Sequence, residues 1–152
     1  MAKVGIVMGS KTDRDIVKPA IDMLERLGID YEVSIISAHR SPEKLREYGS
    51  KAEEQGFEVI IAAAGGAAHL PGILASWTTV PVIGIPLPTS ELKGVDALLS
   101  IAQMPAGVPV ACVGIGTSGA KNAVLLAAQI LGIKHEEVKE AYRKYKVELA
   151  EK

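Results

Sequence analysis

Five short runs of apolar, mostly β-branched residues recur along this chain of 152 residues, and a stretch long enough for a helix separates each from the next. They are Val4-Gly5-Ile6-Val7-Met8, Val33-Ser34-Ile35-Ile36, Val59-Ile60-Ile61, Val82-Ile83-Gly84-Ile85 and Val110-Ala111-Cys112-Val113. Continuous apolar character, rather than strict alternation, marks strands buried on both faces, as in parallel sheets covered by helices. The pattern predicts one three-layer α/β/α domain of flavodoxin-like order 2-1-3-4-5, with a five-stranded parallel sheet and an appended C-terminal helix. Strands are expected over 3–8, 31–36, 57–63, 80–85 and 108–113.

Composition narrows the classes of function. The chain is 48% hydrophobic but only 4% aromatic, so its core is built from Ala, Val, Ile and Leu. A net charge of -1 gives no electrostatic footprint for nucleic acid or an anionic membrane. Any phosphate on a ligand must therefore be held by a local site. Cys112 is the only cysteine, which excludes an intrachain disulfide and reads as a small buried hydrophobe. No charged segment followed by an apolar one opens the chain, and no apolar run approaches the roughly 20 residues of a membrane span. A cytoplasmic protein is expected.

Between the strands, Val17, Ala20, Ile21, Leu24 and Leu27 form one helical stripe, with Thr12 and Asp15 as a capping box, Gly28 as the stop and Pro19 as a blemish. A second helix opens at Ser41-Pro42-Glu43 and turns Leu45, Tyr48 and Ala52 inward. Short helices are expected from His69 to Trp77 and from Val95 to Ala102. The last helix starts near an exposed His135 and carries a narrow seam, Val138, Tyr142, Tyr145 and Leu149. So narrow a seam is expected to pack on a neighbouring subunit, making 1–132 the catalytic part and 133–152 the appended helix.

In open parallel sheets, ligands bind beyond the carboxyl ends of the strands. Three segments with chemistry converge there. Gly9-Ser10-Lys11-Thr12-Asp13 joins the first strand to a helix N-terminus, where free amides favour an anion. It matches neither the phosphate-loop pattern nor the dinucleotide fingerprint, so a monophosphate or ribose hydroxyls suit it better than a pyrophosphate. Ser37-Ala38-His39-Arg40 follows the second strand. Arg40 offers a fork of donors matched to phosphate, Ser37 adds a hydroxyl, and His39 is a candidate general acid and base near neutral pH. Ala64-Gly65-Gly66-Ala67-Ala68-His69-Leu70 follows the third. Its Gly and Ala residues let backbone approach a flat heterocycle or carbon dioxide closely, and His69 shapes the pocket. Asp13 either caps the first helix or accepts from ribose hydroxyls or a ligand amine.

These three segments, in this order, resemble the N5-carboxyaminoimidazole ribonucleotide mutase family of purine biosynthesis. So do Pro81 to Pro86, Gln103-Met104-Pro105-Ala106-Gly107-Val108-Pro109-Val110, and Asn122-Ala123 with Leu125 to Ala128. The resemblance implies transfer of a carboxylate from the exocyclic nitrogen of the substrate to carbon 4 of its imidazole ring, with no cofactor and no metal. It assigns His39 to catalysis. It assigns Ser10, Asp13, Ser37, Ala38, Arg40, Gly65, Gly66, Ala67, Ala68, His69 and Leu70 to the substrate. It also implies a homo-oligomer, an octamer, with sites near subunit boundaries. A second class in the family carboxylates aminoimidazole ribonucleotide from free carbon dioxide; it has Lys in place of Arg40 and lacks the Gly-Gly-Ala-Ala-His segment, so this chain sides with the mutases. Ala63 departs from a common glycine and adds a methyl near the pocket floor.

Two other classes share the topology. A flavodoxin-like redox carrier needs aromatics at this edge, where Trp77 and four tyrosines offer little. A response-regulator receiver needs acids where Gly9-Ser10 and Ala64-Gly65 stand. Fold alone does not choose among these; the site residues do.

Overall fold

The computed structural model describes residues 1–152. Five strands, β1 (Lys3–Met8), β2 (Asp30–Ile35), β3 (Val59–Gly65), β4 (Val82–Leu87) and β5 (Ala111–Cys112), form one parallel sheet in the order β2-β1-β3-β4-β5. Six helices cover it: α1 (Arg14–Arg26), α2 (Pro42–Ser50), α3 (His69–Ser76), α4 (Val95–Ala102), α5 (Gly116–Leu131) and α6 (Glu136–Ala150).

Successive strand side chains point to opposite faces, so each central strand feeds two cores. Val4, Ile6 and Met8 of β1 join Val59, Ile61 and Ala63 of β3 in the larger core, under α1, α5 and the start of α6. Val7, Ile60 and Ala62 face the other way, onto Leu45 and Tyr48 of α2 and Leu70 and Leu74 of α3. Each fully buried Ile or Leu contributes roughly 1.5–3 kcal/mol relative to exposure, so the three central strands anchor the fold.

The local chemistry departs from expectation in several places, each with a physical reason. The first cap lies two residues earlier than the Thr12–Asp15 pairing. The Ser10 hydroxyl accepts from the Thr12 amide and opens a 3-10 turn, Lys11–Asp13, ahead of α1. At the other end, Gly28 (φ +67) closes α1 as expected, with its amide on Glu25 and the Ile29 amide on Leu24. Pro19 sits in the second turn, and the helix runs through it. The carbonyl deprived of a donor belongs to Asp15, an exposed residue within reach of water. Met23 joins the buried stripe, and Ile21 is only partly covered. Ser41 occupies the cap of α2 without a side-chain cap bond; Pro42 in the first turn sets the helix direction instead.

β5 is two residues long, not six. Pro109 has no amide to give to a ladder, and Gly107 (φ +105) and Gly114 (φ +129) turn the chain on either side. Cys112, on this edge strand, is half-buried instead of buried, and burial pushes its thiol up. β3 starts and ends two residues later than expected, because Ala64 and Gly65 stay paired with Pro86 and Leu87 of β4.

His135 is not exposed. Its Nε2 donates to the Glu58 carboxylate at 2.8 Å, tying the start of α6 to the base of the sheet. Within the chain, Val138 of the α6 seam is buried in the larger core, and Tyr142 and Tyr145 pack against it. Tyr142 also accepts from Gln129 of α5, and the Arg26 guanidinium lies over the Tyr145 ring. Val147 and Leu149, farther along the helix, stay exposed.

Candidate functional site

The carboxyl ends of β1 and β3, with the loop after β2, enclose a cavity of about 160 Å³. Nine of the expected residues line it: Asp13, Ser37, Ala38, His39, Gly65, Ala67, Ala68, His69 and Leu70. Gly9, Ala63 and Ala64 complete the wall. Gly9 stood in the sequence as part of the anion-favouring turn after the first strand, and Ala63 as a methyl near the pocket floor. Ala64, which opens the small-residue segment read from the sequence, lies within β3 and not in the loop expected after it.

Three expected residues stand beside the cavity. Ser10 follows Gly9 at the rim, its hydroxyl shared with Thr12 Oγ1 at 2.9 Å. Gly66 (φ +60) makes the turn between Gly65 and Ala67 that only a residue tolerant of the left-handed region makes cheaply. Arg40 is exposed and reaches back to Gly9 O at 3.3 Å. Its own amide donates to the Ser37 hydroxyl at 3.2 Å, which fixes the turn carrying Ala38 and His39.

The segment after β3 is strained where it matters. Ala68 takes φ +48, a region costly for a residue with a Cβ, and its amide donates to Gly65 O at 3.0 Å. The kink starts α3 at His69 and aims that ring toward the turn after β2. His39 Nε2 and His69 Nδ1 are 2.8 Å apart, with the ring planes at 89°. One proton therefore lies between two imidazoles at the mouth of a cavity walled by Ala and Gly.

Asp13 supplies the only carboxylate in the wall. Partial burial pushes its carboxyl above the ordinary value, and the Ser10 backbone amide pulls less strongly the other way. A carboxyl under that tension at a cavity gains from a ligand donor or cation that relieves it. A fourth strand end, unread in the sequence, adds Thr89: a Cβ on Gly65 would stand 2.0 Å from its hydroxyl, so the loop after β4 braces the pocket turn.

The larger crevice beside Trp77 has no histidine, and its Glu53 and Thr79 hydrogen-bond each other. No group of three or more His, Cys, Asp or Glu side chains is placed to hold a metal ion. No helix is long and apolar enough to cross a membrane.

The AIR carboxylase family model matches residues 3–152. The chain belongs to the AIR carboxylase family. It is 58% identical over 149 residues to an N5-carboxyaminoimidazole ribonucleotide mutase of Pyrococcus abyssi, covering 98% of this chain and 84% of that protein. It is 55% identical over 150 residues to the protein of that name from Pseudomonas aeruginosa, covering 99% and 92%. Among solved structures, Treponema denticola PurE superposes with a TM-score of 0.87 at 28% identity, covering 99% of this chain and 93% of that one. In this chain the sheet edge just described holds the strongest cluster of candidate residues.

Proposed function

We propose that this chain is an enzyme that converts N5-carboxyaminoimidazole ribonucleotide to 4-carboxy-5-aminoimidazole ribonucleotide in purine biosynthesis. The observation that carries the reading is the pair His39 and His69 hydrogen-bonded over a small cavity of Ala and Gly walls, in a chain 52–58% identical to proteins named for this mutase. A cavity of about 160 Å³ is below the roughly 300–1,000 Å³ of sites that enclose a whole ligand, so it takes the ring and its carboxyl. The ribose phosphate then lies outside, over Gly9 to Asp13 and against Arg40.

The chemistry asks little of the protein. Protonation of the carbamate nitrogen breaks the nitrogen–carboxyl bond and frees carbon dioxide into the Ala63–Gly65 pocket. The aminoimidazole is an enamine-like nucleophile, and its carbon 4 attacks the trapped gas. A base then takes the proton from carbon 4 and the ring regains aromaticity. His39 serves both transfers, as an imidazole is able to give and take a proton near neutral pH. Asp13 and Ser10 meet the ribose and phosphate with Arg40, while Ser37, Ala38, Gly65 to Ala68, His69 and Leu70 shape the enclosure.

The same reading makes the enzyme cofactor-free, cytoplasmic and a homo-octamer. Ile73, Leu99, Ile133 and Leu149 are exposed apolar side chains that favour burial against further copies. Residues 1–132 then form the catalytic part, and the outward positions of 133–152 meet a neighbouring subunit. The assay that tests the function compares the carbamate nucleotide with free aminoimidazole ribonucleotide plus bicarbonate. Turnover of the first at low bicarbonate is expected. Turnover of the second alone would make the chain a direct carboxylase.

A further inference from the structure

The turn that leads from β3 into α3 begins with two glycines, Gly65 and Gly66, and neither has a side chain for the core to grip. Successive glycines are the freest backbone a chain has. Two residues on, Ala68 is held at φ +48, a conformation that persists only where its surroundings over-determine it. Inside the turn, the Ala68 amide donates to Gly65 O at 3.0 Å, and β4 holds Gly65 through its pairing with Leu87. A further restraint comes from outside the segment. A Cβ on Gly65 would stand 2.0 Å from Thr89 Oγ1 but 3.4 Å from Thr89 Cβ, so it is the hydroxyl that lies against the glycine.

Thr89 is itself held firmly. On one side of it, Pro88 packs so closely on Gly94 that a Cβ there would stand 3.3 Å from Pro88 Cα. On the other, Ser90 Oγ donates to Asp96 Oδ2 at 2.6 Å, and Asp96 Oδ1 accepts from the Ala97 amide at 2.9 Å. The loop after β4 thus hangs from the first turn of α4. Thr89 is exposed, so replacing it touches neither core.

We propose that Thr89 is a positioning residue for the cavity: its hydroxyl holds the Gly65–Ala68 turn in the shape that keeps the small-residue wall closed around released carbon dioxide. The proposal rests on the mutase reading above and deepens it. Without the hydroxyl, the two glycines and the strained Ala68 relax together. The wall then admits water, and carbon dioxide escapes before carbon 4 attacks it.

Thr89→Ala removes the hydroxyl, whereas Thr89→Ser keeps it and deletes only the methyl. Circular dichroism melts establish that both variants fold. In Thr89→Ala, kcat for the carbamate nucleotide is expected to fall about tenfold, the scale of a small misplacement, with KM within about threefold of wild type. Product made from carbamate nucleotide with a carbon-13 carboxylate, in unlabelled bicarbonate, should lose most of its label in Thr89→Ala and keep it in Thr89→Ser. Equal loss in the two variants, or loss in neither, overturns the bracing role. So does a raised KM with kcat intact, which would make Thr89 a direct ligand contact. Amide hydrogen exchange reads the turn without turnover. The Ala68 amide is expected to exchange about tenfold faster in Thr89→Ala than in wild type or Thr89→Ser, with the Ile61 amide unchanged. Unchanged protection of Ala68 overturns the proposal even in an active mutase, whereas no turnover by wild type overturns the mutase reading itself.

Discussion

Arg40 bonds the carbonyl oxygen of Gly9 at 3.3 Å, joining the turn after β2 to the end of β1. One of the five guanidinium donors is spent on this bond. The others bond no protein group, and Gly9 leads directly into Ser10 and the 3-10 turn, where a phosphate would find both a charge and free amides.

Arg40→Ala is therefore expected to weaken substrate binding by about 2 kcal/mol, the scale of a lost charge-assisted contact, with a smaller effect on kcat. Removing the 5′-phosphate from the ligand should cost wild type far more than it costs the variant. Isothermal titration with both ligands on both proteins checks this; simple additivity would free Arg40 from the phosphate.

Asp13 is held above its ordinary value by burial, so its charged form opposes folding at neutral pH. Asp13→Asn should raise the melting temperature slightly at pH 7 while lowering substrate affinity about tenfold, through loss of a charged acceptor. Thermal melts and titration measured together decide it. A variant that binds normally would remove Asp13 from the ligand.

Gly5 and Tyr48 form a lock in the smaller core. A Cβ on Gly5 would stand 2.2 Å from the Tyr48 hydroxyl, and that hydroxyl is buried with no hydrogen-bond partner. Gly5→Ala should cost about 1–3 kcal/mol by overpacking, and Tyr48→Phe should be neutral or stabilising because it removes an unsatisfied group. The double variant should recover most of the Gly5→Ala loss in urea unfolding, since the two sites touch. Additive losses would show that something other than the hydroxyl excludes the methyl.

Much of this was legible in the sequence. Parallel order followed from Val59-Ile60-Ile61 and its counterparts, whose unbroken apolar character fits only strands covered twice. The site followed from three segments placed at strand ends. The remainder depended on tertiary partners. Ala64 and Gly65 read as loop because Gly weakens a strand, yet β4 holds both in register. His135 read as exposed because its partner, Glu58, lies far away in sequence. The His39–His69 bond was equally hidden, since nothing local sets the kink at Ala68 that aims the second ring.

The Glu58 contact sets an acid limit on stability. Partial burial pushes its carboxyl up, but hydrogen bonds from His135 and Lys134 outweigh that and hold it below 4.5. A carboxyl lowered by folding stabilises fully above its unfolded value, and that contribution is lost as pH falls through the folded one. Melting temperature should thus drop below about pH 4.5 more steeply in wild type than in Glu58→Gln, which is less stable at neutral pH. Parallel curves for the two proteins would remove this cluster from the acid transition.

The central claim is that carbon dioxide released from nitrogen stays in the Ala63–Gly65 pocket until carbon 4 takes it. The direct measurement starts from carbamate nucleotide carrying a carbon-13 carboxylate, in buffer with unlabelled bicarbonate, and reads the product at early times by carbon-13 NMR. Most of the label should remain in the product, because a water-excluded site slows escape and exchange. Product carrying mainly unlabelled carboxylate would contradict the account and make free carbon dioxide the substrate.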